Sequence, residues 1–326
     1  MKDAVGEYIV KIMARLDPAP PVPRAAADDP DAVAGEAFDI LTSREFCYLS
    51  RSRTAPFRAA ASELAAGNIR AGEPIRLYYD IGAGYHATIE PDQSGLVFGV
   101  GFSELCILSQ IGAFSSRIAQ IYPPAAHFTL VIDNVCGLVT NDIPLDQTAR
   151  YCEALRRLIG ETAMGDRVDV LVESEAFDVS GYAIDRERLA RDVAALSPSP
   201  QDLENVRRFL GRPCDEREAR ERIARYRQAG EMTERRLEGV VRGVRMTQRA
   251  TGGTLGFRPF PGGDSRTQVG EVAIGPNAKG ALRPLLLTSR NVGGYRCTRM
   301  QFPHLLPAAI THVTYAEATG APPLSG

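Results

Sequence analysis

No apolar run in this chain of 326 residues approaches the roughly 20 that a membrane-spanning helix needs. The start, Met1-Lys2-Asp3-Ala4, leads into polar residues and carries no hydrophobic signal segment. Charge of one sign is not in excess: 38 basic residues against 40 acidic ones leave a formal charge of -2. No global field therefore favours nucleic acid or a membrane surface, and a cytoplasmic protein that binds neither is expected. The four histidines are scattered, at 86, 127, 304 and 312. Six cysteines, at 47, 106, 136, 152, 214 and 297, form no Cys-x-x-Cys pair, which predicts free or buried thiols and argues against zinc. Neither a metal nor an organic cofactor is called for. Lysine is nearly missing. Only Lys2, Lys11 and Lys279 occur among the 38 basic residues, which is a compositional preference for arginine. That preference leaves Lys279, alone beyond residue 11, as a candidate functional cation.

A 44% hydrophobic content at this length supports a sizeable core, in one large domain or two smaller ones. Residues 4–16 repeat apolar groups at helical spacing behind Asp3, and Asp17-Pro18 stops them. A Pro- and Ala-rich linker runs to Pro30, and the body is expected to start near Ala37. Such an arm would dock on the body or on a second subunit, as in a homodimer. A short helix over 55–66 ends at Gly67-Asn68. Strands follow at Pro74–Asp80 and Leu96–Val100, and Ser103 caps a helix to about Gln120. The run Phe128–Ile132 reads as a strand covered on both faces. A helix from Pro144 to Ile159 and a strand at Val168–Val172 continue the alternation. The fold class expected is α/β, a largely parallel mixed sheet flanked by helices, with an N-terminal helical arm. The boundaries expected are 1–35 for the arm and linker, 36–195 for the α/β core, and 196–326 for a helical segment with C-terminal strands.

Residues 214–250 read as two helices separated at Gly230. Pairs such as Glu216–Arg220 and Glu221–Arg225 lace the first, and Leu237, Val240, Val241 and Val244 stripe the second. Acids alternate with the arginines, so this is a solvated helix face, not an RNA-binding one. Thr251–Gly263 reads as a loop. Val269–Ile274, Leu282–Thr288 and Ile310–Tyr315 read as strands.

Polar groups gather where strands end. Asp80-Ile81-Gly82-Ala83-Gly84-Tyr85-His86 holds a Gly-x-Gly but lacks the third glycine of a dinucleotide site. Its Tyr85 and His86 are candidates for a substrate wall. Asp80 and Asp133 close strands, where ligands of open α/β sheets bind. Asp133 could hold an ammonium group or merely shape an Asx turn. Asp142 could do the same or cap the next helix. Arg258, Arg266, Arg283, Arg290, Arg296 and Arg299 crowd the last third around Lys279, as a phosphate clamp requires. No Gly-x-Ser-x-Gly and no Walker loop occurs.

Residues 72–160 resemble the isonitrile synthase family, which includes the pyoverdine/dityrosine biosynthesis proteins. Gly72-Glu73-Pro74-Ile75 opens a strand, and Glu104 sits near the start of a helix. Ile121-Tyr122-Pro123-Pro124-Ala125-Ala126 resembles the family's Ile-Tyr-Pro-Pro-Gly-Ala, and Gly137-Leu138-Val139-Thr140-Asn141-Asp142 follows. Glu271 to Pro276, with Lys279 beyond it, resembles the family's Leu-Ser-Ile-His-Pro element. The chain departs from the pattern at the loop Asp80 to His86, which has no lysine or serine, at Cys136 and at Gly275. The resemblance implies a small-molecule enzyme that condenses the amino group of an aromatic amino acid with the ketone of ribulose 5-phosphate. It implies proton transfer by Glu104, Tyr85 or His86. Asp133 or Asp142 would bind the amine, with Asp80 in the same crevice. Lys279, with arginines such as Arg283 and Arg258, would bind phosphate. A different amine condensation or lyase step, or a non-catalytic binding protein, are the other readings.

Overall fold

The computed structural model describes residues 14–16, 29–47, 49–82, 87–89, 96–98, 102–141, 145–162, 164–177, 184–210, 214–241, 243–247, 255–258, 272–276, 282–286, 299–302 and 306–313. The predicted N-terminal arm lies outside this set except for its last turn. There Leu16 is buried and Arg15 donates to Gln110 at 2.6 Å. The arm's end thus docks on its own chain. A Cβ on Gly112 would collide with the Arg15 carbonyl oxygen, so that residue keeps the approach open.

The body begins earlier than Ala37. Asp29 accepts from the Asp31 N–H and Pro30 takes the first helical position, starting the helix Pro30–Leu41. The short helical pieces Arg51–Thr54 and Ala55–Phe57 lead into the helix Arg58–Arg70, which does not stop at Gly67-Asn68. It ends three residues later, where Gly72 adopts φ 70°. The Gly72 N–H donates to Ile69 and the Glu73 N–H to Asn68, closing a Schellman motif.

Five parallel strands form the main sheet: β1 (Ile75–Gly82), β4 (Ala126–Asp133), β5 (Val168–Val172), β6 (Val244–Thr247) and β7 (Leu255–Gly256), in the order β5-β4-β1-β6-β7. The α/β class is therefore the expected one. Leu96–Phe98 is not in this sheet. As β3 it pairs antiparallel with β2 (Ala87–Ile89). A further sheet joins β8 (Val272–Pro276), β9 (Leu282–Leu286), β10 (Arg299–Phe302) and β11 (Leu306–Val313), with antiparallel and parallel pairs. β11 lies against the helices Phe102–Ala119 and Leu145–Glu161.

The core is on one face of the main sheet. Ile75, Leu77, Tyr79 and Ile81 of β1 bury there with Phe128, Leu130 and Ile132 of β4, beneath the helices 58–70, 102–119 and 145–161. Edge-to-face rings, Phe46 on Phe114 and Phe114 on Phe128, fill the middle. The opposite face carries Tyr78 and Asp80 of β1 and Thr129 of β4, all partly exposed.

Three expectations fail in the last third. Residues 216–240 form one helix, Glu216–Val240, and Gly230 does not break it. A lone glycine costs about 1 kcal/mol relative to alanine, and the ion pairs Arg220–Glu216 and Arg225–Glu221 hold the segment. Val244 is not on a helix. The chain leaves the helix at Val241, turns at Gly243 with φ 147°, and enters β6. Leu255–Gly256, expected in a loop, extends the sheet as β7.

Candidate active site

The strand order makes β1 the point where the chain reverses its direction of travel across the sheet. After β1 it moves outward through β4 to β5, then returns past β1 to β6 and β7. Crevices form at the carboxyl ends of strands at such a point.

Register decides which side chains meet there. Gly82 of β1 lies opposite Asp133 of β4, Asp80 opposite Val131, and Tyr78 opposite Arg245 of β6. Partners across a parallel ladder point to the same face. Asp80, Asp133 and Arg245 therefore leave the sheet on one face, the one away from the core. Arg245 Nη2 lies 2.7 Å and Nε 2.9 Å from Asp80 Oδ2, with the two side chains 24% and 16% exposed. The strand ends are also braced. The Asn134 side-chain amide donates to Ser174 Oγ at 2.7 Å and to Thr148 Oγ1 at 3.3 Å, and the Ser174 N–H returns a bond to Asn134 Oδ1 at 3.0 Å. Next to this bracket Glu173, fully buried, accepts from the Thr233 hydroxyl at 2.9 Å and from the Cys136 N–H at 3.4 Å. Burial, then the charges of Asp133 and Glu173, push the Cys136 thiol well above its ordinary range.

Glu104 reaches the same edge from the other face. It stands in the first turn of the Phe102–Ala119 helix, whose far end leads to the start of β4. It is 3% exposed, and the buried Tyr151 hydroxyl donates to its Oε1 at 3.3 Å. Burial first, and then the Glu104 charge, raise the Tyr151 phenol well above 10.0. The carboxyl edge of the sheet thus has a buried acid–phenol pair on one side and a partly exposed acid–guanidinium pair on the other.

The remaining predicted residues do not all join this grouping. Tyr85, His86, Asp142 and Lys279 lie outside the described residues. Arg283 is on β9, opposite Gly275, and so belongs to the second sheet. Arg258 follows β7, two strands from β1, where its N–H donates to the Phe46 carbonyl and its charge lowers the Cys47 thiol against the larger effect of burial. A groove of about 380 Å³ lies elsewhere, along the edge strand β5. Arg76, Thr129, Asp169 and Val240 line it, but neither Asp80 nor Arg245 does, so it is separate from the chemistry described above. Among the described residues no group of three or more His, Cys, Asp or Glu side chains could hold a metal ion, and no helix is long and apolar enough to cross a membrane.

Sequence reading missed Arg245, Tyr151 and Glu173. For Arg245 a signal was present: Val244-Arg245-Met246-Thr247 alternates apolar and polar residues as a half-buried strand does.

No protein-family model matches the chain, and no curated protein matches it. Among solved structures, the crystal structure of the PvcA protein from Pseudomonas aeruginosa is similar in fold. The two are 16% identical and superpose with a TM-score of 0.60, over 86% of this chain and 98% of that one.

Proposed function

We propose that this chain is an isonitrile-synthase-like enzyme of specialised metabolism. It acts on the amino group of an aromatic amino acid, with ribulose 5-phosphate as the carbon donor. One coincidence carries the reading. The motifs of residues 72–160 resemble that family, and the chain independently shares the fold of PvcA, a protein of the isonitrile synthase type, over nearly its whole length.

The carboxyl edge of the sheet has groups suited to the first bond-forming step. Asp133 would hold the substrate ammonium. A base then takes a proton from nitrogen, the amine adds to the ketone carbon, and the alkoxide oxygen is protonated. Loss of water from that adduct gives the imine. Glu104, backed by Tyr151, suits the proton transfers, with Tyr85 and His86 as further candidates. Lys279 would take the phosphate. The enzyme would work in the cytoplasm on small molecules, without nucleic acid or membrane partners.

The test is direct. The purified chain is incubated with aromatic amino acids and ribulose 5-phosphate, and the mixture is searched for an isonitrile by mass spectrometry. No product with any of them removes the reading. The loop Asp80 to His86, which lacks the family's lysine and serine, supports one alternative, a different amine condensation. Amino-acid binding without isonitrile would select it.

A further inference from the structure

Arg245 and Asp133 flank β1 on either side, one on β6 and one on β4, and both leave the same face of the sheet. Asp80 stands between them on β1. Two Arg245 nitrogens converge on the single oxygen Oδ2 of Asp80, at 2.7 and 2.9 Å. That bite fixes the guanidinium plane over β1. The guanidinium carries five N–H donors in a rigid fork, and the Asp80 oxygen engages one edge of it. The two side chains are 24% and 16% exposed, so both are reached by solvent. The pair's place at the reversal point of the sheet is where ligands bind.

We propose that Arg245 binds the α-carboxylate of the amino-acid substrate, with Asp80 as the positioning residue that orients its guanidinium. This rests on the amino-acid reading above and deepens it by moving Asp80 from substrate contact to support of Arg245. The geometry suits a zwitterion. Arg245 lies opposite Tyr78 and Asp133 opposite Gly82, four residues or about 13 Å apart along β1. The Arg245 side chain closes part of that offset by leaning forward to Asp80, which is one strand over from Asp133 and level with Val131, two residues before it. A carboxylate on one side and a cation on the other match the ammonium and carboxylate of one amino acid in sign and order.

Calorimetric titration of the full chain with L-tyrosine and L-tryptophan, and with tyramine and tryptamine, tests the assignment. The amines keep ring and ammonium but lack the carboxylate. The wild-type chain is expected to bind an amino acid about tenfold or more tightly than its amine. Arg245→Gln is expected to bring the two within about twofold by weakening the amino acid alone. Arg245→Lys, which keeps the charge but not the fork, should retain part of the preference. Asp80→Asn should reduce it less than Arg245→Gln does. The ratio of two affinities in one protein does not depend on how much of it is folded, so a destabilised variant still answers. Full preference in Arg245→Gln overturns the Arg245 assignment and leaves the amino-acid reading standing. So does loss of ribulose 5-phosphate binding with the preference intact, which would give Arg245 to phosphate. A wild-type chain that binds no amino acid and no amine overturns both.

Discussion

The Tyr151 hydroxyl donates to Glu104 Oε1 across 3.3 Å, with the phenol fully buried and the carboxylate 3% exposed. The two residues are 47 positions apart, on different helices that pack on the same face of the sheet. Removing the donor leaves a buried carboxyl with one bond fewer. Tyr151→Phe is expected to cost about 1–3 kcal/mol in urea unfolding. Glu104→Gln keeps the volume and one acceptor oxygen, so its stability loss should be smaller. If Glu104 moves the proton in the proposed condensation, the same substitution lowers kcat by about 10²–10⁴ and leaves KM nearly unchanged. Turnover measured alongside unfolding separates the two effects.

Burial also sets the alkaline behaviour of the fold. Burial, opposed by Arg156 and reinforced by Glu175, moves the Cys152 thiol from 9.0 to about 11. Tyr151 is displaced in the same direction from 10.0. Both groups bind their protons more tightly when folded. The Cys152 contribution to stability is complete below pH 9 and is lost as pH rises from 9 through about 11, while that of Tyr151 begins to be lost only above pH 10. The melting temperature should therefore fall across that window, and Cys152→Ala should make the fall shallower. At pH 8 a thiol reagent should label native Cys214, which is partly exposed, and spare Cys47, Cys106, Cys136 and Cys152, which are buried. Peptide mapping reads the pattern.

The legible part of the fold was the part whose local signal matched its final environment. Phe128–Ile132 is apolar at nearly every position because one face of β4 lies on the core and Val131, on the other face, is buried as well, and Asp133 follows from where that run stops. β6 is different. Its four residues follow a 25-residue helix, and Val240, Val241 and Val244 satisfy helical spacing as well as they satisfy anything else. Only pairing with β1 makes Val244 a strand residue and brings Arg245 to Asp80, 165 positions away. Glu173 was not readable at all, because its partner Thr233 lies 60 residues on and no local pattern marks a buried acid.

Two glycines of this region should respond oppositely to the same substitution. A Cβ at Gly230 meets nothing within 4 Å, in the interior of a helix. Gly230→Ala should stabilise by about 1 kcal/mol. Gly243 has φ 147°, and a Cβ there would collide with the Arg76 carbonyl oxygen. Gly243→Ala should cost about 1–3 kcal/mol. It should also displace β6 and erase the preference for amino acid over amine that Arg245 is assigned. Urea midpoints and the paired titrations check both.

Ala125 offers a gain in stability at a place the sequence comparison already marks. It has φ 63°, in the left-handed region. It is pinned there from both sides: its N–H donates to the Tyr122 carbonyl at 2.8 Å, and its own carbonyl accepts from the Ile75 N–H at 2.9 Å, aligning the start of β4 with β1. A left-handed L-residue costs about 1–2 kcal/mol, and glycine adopts the same angles freely. Glycine also gives the unfolded chain more freedom, which returns about 0.4–1 kcal/mol of that gain. The side chain is partly exposed, so losing one methyl group sacrifices little burial. Ala125→Gly should therefore raise stability by up to about 1 kcal/mol. Ala125→Val, which brings a β-branched side chain to a positive φ, should lower it by more than that. Thermal midpoints of the two variants decide the matter. A glycine variant less stable than the parent would mean that the turn does not hold Ala125 in the left-handed region in solution.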